Sequence, residues 1–211
     1  MRRYVLIAAL LSMVFSAAAW MSEETIFSRY GDTVYRPDST TLCIITSPGD
    51  TLVFRDSGDD MAFAEEYASY RIIDYLEDME LWVLEAGGYE WVDWRLVNGV
   101  TGAVDTAISA PVPSPDNTRL LCYKEDLTAG FIPNGIQIWR AGSDGLILEF
   151  EDVSVPWGPS EAGWEDDSTV TIVKMSFDWD TGEYTYEPGR LELGPDGSWV
   201  PDDPDDWMYP D

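Results

Sequence analysis

The sequence predicts an all-β chain assembled from about four similar units of short antiparallel strands, and three observations carry that prediction. Turn signals such as Ser47-Pro48-Gly49, Asn98-Gly99, Asp144-Gly145 and Asp196-Gly197 punctuate the chain between apolar runs, as they do in chains of many short strands. Aspartates that open a turn recur at Asp38, Asp78, Asp116 and Asp167, at intervals of 40, 38 and 51 residues. Recurrence at this length marks a repeat architecture. The strand after each aspartate is apolar on both faces, as in Leu120 and Cys122 against Leu121 and Tyr123. A strand with one wet face would alternate, so these strands belong to sheets covered on both sides.

Residues 1–19 stand apart from the fold. Arg2 and Arg3 precede an apolar run from Val5 to Phe15, which ends in Ser16-Ala17-Ala18-Ala19. That order describes a secretory signal peptide, and the run is shorter than the roughly 20 apolar residues of a membrane-spanning helix. The expectation is cleavage before Trp20, a secreted or periplasmic location, and no membrane anchor after cleavage.

Residues 20–200 form the expected β domain. Its units are headed by Pro37-Asp38-Ser39-Thr40, Glu77-Asp78-Met79-Glu80, Pro115-Asp116-Asn117-Thr118 and Asp167-Ser168-Thr169. Aspartate followed by Ser, Asn or Thr suits a tight turn, because its short side chain bonds nearby backbone N–H groups. Each unit has a second half: Thr51 to Arg55, Tyr89 to Val97, Gly135 to Arg140 followed by Leu146 to Phe150, and Glu183 to Glu187 followed by Arg190 to Leu193. Asp59 to Tyr67 reads as one or two helical turns. Residues 201–211, Pro-Asp-Asp-Pro-Asp-Asp-Trp-Met-Tyr-Pro-Asp, have no strand period; they read as an acidic tail that stays disordered unless Trp207 and Tyr209 dock it.

Charge and missing residue types narrow the function. The chain carries 40 acidic and 12 basic residues, for a formal charge of −28. Such a field repels nucleic acid and anionic lipid and favours solubility or cation binding. With no histidine, Ser-His-Asp and Cys-His nucleophiles and His-ligated zinc are excluded. Cys43 and Cys122 would meet an oxidising compartment, but each lies in an apolar strand run, one position out of step in its unit. Two buried thiols are expected rather than a bridge.

Pro113-Ser114-Pro115-Asp116, Ile138-Trp139-Arg140 and Asp144-Gly145 together resemble a TolB- or WD40-like β-propeller blade. Those families carry an SPDG turn before one strand and an Ile-Trp strand before a turn. The likeness covers one unit well and three faintly, from Asp38 to Trp199. Asn117 stands where glycine is usual, and the Gly-His and Trp-Asp pairs of WD40 repeats are missing. The resemblance implies about four blades in a closed or partial propeller, and it implies no activity, since propellers host enzymes, lectins and scaffolds alike. An open array leaves bare strand edges, so a closed or nearly closed monomer is the expectation, with a homodimer as the alternative.

Two loops beside the third unit are the candidate binding region, Lys124 to Asn134 and Asp152 to Trp164, because long loops on a rigid sheet tend to carry function. Phe131, Trp157 and Trp164 supply flat apolar surface there, with Glu125, Asp126, Asn134 and Ser160 as polar partners. The other reading is that these aromatics pack beneath their own loops. Asp178, Asp180 and Glu183 are the candidate metal ligands, for calcium, although Asp-x-x-Gly is also an ordinary hairpin turn and no further cofactor is implied. Glycoside hydrolysis needs two carboxylates at a set separation, and with 40 acidic residues the sequence nominates no such pair; Glu85 and Glu90, which flank Gly87-Gly88, read as hairpin surface charges. The expected function is non-enzymatic binding or scaffolding of a peptide, protein or glycan outside the cytoplasm; the alternative is a secreted carboxylate-based glycoside hydrolase.

Overall fold

A computed structural model describes residues 20–57, 68–88, 91–128, 130, 133–153 and 155–207. The helical turns expected between Asp59 and Tyr67 lie outside the described residues, as do Phe131, Glu90 and Tyr209.

One helix opens the described chain, α1 (Glu23–Tyr30), with the Ser22 hydroxyl accepting the Thr25 N–H at its start. Glu23 and Glu24 in the first turn and Arg29 in the last complement the helix dipole. Four antiparallel sheets follow in chain order. The first is β1 (Val34–Asp38), β2 (Thr41–Ile45) and β3 (Thr51–Arg55); the second is β4 (Ser69–Leu76), β5 (Leu81–Gly88), β6 (Trp91–Asn98) and β7 (Val104–Ala107). The third is β8 (Val112–Pro113), β9 (Arg119–Lys124), β10 (Gly135–Gly142) and β11 (Gly145–Asp152). The fourth is β12 (Gly158–Asp166), β13 (Thr169–Asp178), β14 (Glu183–Leu193) and β15 (Trp199–Pro201). In every sheet strands adjacent in sequence are adjacent in space, so each is a simple meander. The all-β expectation and the four units hold at this level.

The recurring turns have a common chemistry. Asp38 accepts the Thr40 N–H at 2.9 Å, Asp116 the Thr118 N–H at 3.0 Å, and Asp166 the Ser168 N–H at 2.8 Å. The fourth unit is therefore led by Asp166, one residue before the aspartate expected from spacing. Asp78 lies instead in a 3-10 turn, Glu77–Met79. Leu42, Leu81, Leu120 and Val170 all fall in the second strand of their sheets and are 1% exposed or less.

Three hydrophobic clusters hold the sheets together in series. Leu42 and Ile44 meet Ile72, Trp82 and Leu84 between the first and second sheets, with Ile26 of α1 in the same cluster. Leu81, Val83 and Leu96 meet Leu120, Cys122 and Trp139 between the second and third. Leu121, Ile136 and Ile138 meet Val170, Ile172 and Leu191 between the third and fourth. The strands of the second and third sheets are apolar on both faces because each of these sheets lies between two such clusters. Among the described residues, no hydrophobic cluster joins the fourth sheet to the first.

Both cysteines are buried free thiols. Cys122 belongs to the cluster between the second and third sheets, while Cys43 pairs in register with the exposed residues Tyr35 and Val53 on the other face of the first sheet. Of the two aromatics on which order in the acidic tail is expected to depend, Trp207 is docked. A 3-10 turn, Pro204–Trp207, carries the Trp207 ring into the third interface, edge-on to Phe150 at 5.7 Å and Trp157 at 4.9 Å.

Candidate ligand-binding face

The two loops singled out from sequence are stitched together rather than open. Asn134 is the stitch: its Oδ1 accepts the Asp126 N–H at 3.0 Å, and its Nδ2 donates to the carbonyls of Trp157 at 2.9 Å and Val155 at 3.3 Å. Asp126 caps the Gly130 N–H and Glu125 the Leu127 N–H, so both carboxylates serve their own turn. Trp157 is only 4% exposed and belongs to the core. Trp164 packs on the same cluster and donates its ring N–H to the Val112 carbonyl at 2.9 Å. Ser160 is the extra residue of a β-bulge and donates to the Val173 carbonyl at 3.1 Å. Trp157 and Trp164 follow the packed reading, while Phe131 lies outside the described residues.

The proposed calcium ligands form the β13–β14 hairpin turn. Asp178 Oδ1 accepts the N–H groups of Asp180 at 2.8 Å and Thr181 at 3.1 Å. These bonds, Thr181's first, hold the Asp178 carboxyl below the usual aspartate range. Among the described residues, no group of three or more acidic or cysteine side chains is placed to hold a metal ion. Glu85 is committed to Arg71, at 2.9 and 3.1 Å.

Among the described residues, two sheet faces lie outside the three clusters, the outer faces of the first and fourth sheets, and the fourth carries the large aromatic rings. The continuous β13–β14 register places Thr171 opposite Arg190, Val173 opposite Pro188, Met175 opposite Tyr186 and Phe177 opposite Tyr184. Directly opposed residues share a face, and the alternate set, with Val170, Ile172 and Leu191, faces the third sheet. The outer set thus forms one column about 20 Å long at roughly 3.3 Å per residue. At one end is a groove of about 290 Å³ lined by Glu161, Thr171, Val173, Pro188, Arg190 and Asp202. At the other, Phe177 touches Trp179 edge-on at 4.7 Å and Tyr184 at 4.8 Å. Trp179 is 73% exposed, Tyr186 60% and Tyr184 47%, which is unusual for a cluster of large rings.

This hairpin outruns its neighbours. β12 begins opposite Met175, and β15 pairs only with Leu191–Leu193. A wider hollow of about 550 Å³ lies on the second sheet near Trp20 and Trp94, but its charges are already paired. Glu23 binds Arg36 at 2.9 Å and the Ile72 N–H at 3.0 Å.

Sequence reasoning passed over Phe177, Trp179, Tyr184 and Tyr186. The signal was present in the alternation Glu183-Tyr184-Thr185-Tyr186-Glu187, which puts both tyrosines on one side of a strand, but only the carboxylates around it drew attention. No family model, curated protein or solved structure matches the chain.

Proposed function

We propose that this chain is a non-enzymatic binding or scaffold protein that acts outside the cytoplasm, and that it holds an elongated ligand, a peptide, protein or glycan, on the outer face of its fourth sheet. The observation that carries the reading is the column of Met175, Phe177, Tyr184 and Tyr186, capped by Trp179, on a face left bare by the stack. Rigid aromatic side chains on a sheet give contact area at low entropic cost and are frequent binding anchors.

The sheets form a partial propeller in this reading. Its support is the serial packing of four meanders and the repeated aspartate turn at Asp38, Asp116 and Asp166. The hydrolase alternative gains nothing from Glu85, whose carboxylate is held by Arg71.

The test is a labelled mature chain on peptide and glycan arrays, beside a Tyr184→Ser/Tyr186→Ser variant. The expected result is a specific ligand whose affinity falls at least about tenfold in the variant, as loss of a buried aromatic anchor does. Equal binding by both proteins overturns the assignment of the face.

A further inference from the structure

The long hairpin also leaves a strand edge open, and its polarity can be derived. Both backbone groups of Arg190 point toward the β15 side: its carbonyl accepts the Asp202 N–H at 3.0 Å, and its N–H donates to Asp202 Oδ1 at 3.1 Å. Backbone direction alternates along a strand, and β14 pairs with β13 without a bulge. Pro188, Tyr186 and Tyr184 therefore point the same way, and among the described residues no strand pairs with that edge. It offers the carbonyls of Tyr184, Tyr186 and Pro188 and the N–H groups of Tyr184 and Tyr186. Proline withholds the next donor, which limits the ladder to a short register.

We propose that β14 is completed by strand addition, and that the added strand is an extended, basic segment of a partner polypeptide with apolar and cationic residues in alternation. The proposal rests on the reading that the fourth sheet's outer face is the binding surface. An added strand continues the sheet, so every second side chain lies beside Tyr184, Tyr186 and Pro188 and must be apolar. The intervening side chains lie on the opposite face, beside the exposed residues Glu183 and Glu187. The chain's charge of −28 draws a cationic segment and opposes pairing with a second copy.

The experiment uses the mature chain and a capped octapeptide of alternating lysine and valine. Two analogues carry N-methyl groups on one or the other set of alternate residues, a lysine–glycine peptide matches the charge, and chitotetraose is the glycan probe. Backbone amide exchange of free and bound protein is read by NMR. In the free chain, Tyr184 and Tyr186 amides are expected to exchange faster than those of Thr185 and Glu187. Bound peptide should slow both tyrosine amides at least about tenfold, as a new ladder bond does. One N-methyl analogue should lose binding while the other keeps it, and the lysine–glycine peptide should bind more weakly.

Peptide binding with unchanged tyrosine exchange overturns strand addition but leaves the aromatic face as a binding surface. Failure of the peptide, with chitotetraose bound in a Tyr184- and Tyr186-dependent way, does the same. Failure of every probe, together with slow tyrosine exchange in the free chain, overturns the open edge itself.

Discussion

The backbone N–H of Asp116 donates to Asp167 Oδ1 at 2.8 Å, so two aspartates 51 residues apart in the chain touch at the turns that join the first two strands of the third and fourth sheets. The turn of the third sheet also reaches the other way, because Asn117 Nδ2 donates to Asp78 Oδ2 at 2.7 Å. The turns that mark the units in sequence thus bond to one another in space.

Asn117 has a φ of 55°, in the left-handed region where Asn is tolerated and Ala is strained. Asn117→Ala should cost about 2 kcal/mol, combining that strain with a lost hydrogen bond. Asn117→Gly should cost about half as much, since only the bond is lost. Urea denaturation of both variants, alone and with Asp78→Ala, checks the division; in the Asp78→Ala background the glycine variant should show no further loss.

Glu149 is the extra residue of a bulge in β11, and the bulge aims its carboxylate at three donors. Arg119 donates to it at 2.8 Å, Arg140 at 2.5 Å and the Trp199 ring N–H at 3.2 Å. Burial pushes its pKa up, but the bonds from Arg119, Trp199 and Arg140 outweigh burial and hold it below the usual glutamate range. Glu149→Gln should destabilise the fold by about 2 kcal/mol near neutral pH. Because the folded pKa is the lower one, the stabilisation is complete above the unfolded value of about 4.3 and fades as pH falls through the folded value. Denaturation curves of both proteins should therefore converge in acid.

Trp207 is 7% exposed between Phe150 and Trp157. Trp207→Ala should cost about 3–5 kcal/mol, the range for a large aromatic removed from a core, and truncation after Pro201 should cost no less. Thermal unfolding of the two proteins checks this; an unchanged melting temperature would mean that the tail is not part of the core.

Cys43 and Cys122 sit in different layers, and burial pushes the Cys122 thiol well above its ordinary pKa. Neither should react with iodoacetamide in the native protein, Cys43 because it is buried and Cys122 because burial also keeps it from the reactive thiolate form. Both should react after denaturation without reductant, as mass spectrometry of the intact chain would record.

The hairpin turn at Asp178 should be indifferent to calcium. Melting temperatures in EDTA and in millimolar calcium are expected to coincide, since only a ligand that prefers the native state raises them.

Fold class was legible because its signals are local. Paired apolar faces at Leu120 to Tyr123 and the turns at Asn98, Asp144 and Asp180 each act within a few residues. What sequence could not reveal depends on register. The bulges at Ser160 and Glu149 shift pairing by one residue and leave no local composition mark. Asp167 looked like the head of the fourth turn because it lies beside the true head, Asp166, and only the fold shows it reaching to Asp116. Sequence left two readings of Trp157, a flat binding surface or a ring packed beneath its own loop, and only the meeting of the third and fourth sheets selects the second. The face that remained open was hidden in the same way, since Tyr184 and Tyr186 differ from core aromatics only in having no sheet opposite.

Packing in series makes the outer layers unequal to the inner ones. The second and third sheets are each gripped by two apolar clusters, the first and fourth by one. In such nearest-neighbour arrays, cooperativity weakens toward the ends. The terminal meanders should therefore fray before the middle pair yields, and any occupant of the β14 edge would shore up one of the two weaker ends of the molecule.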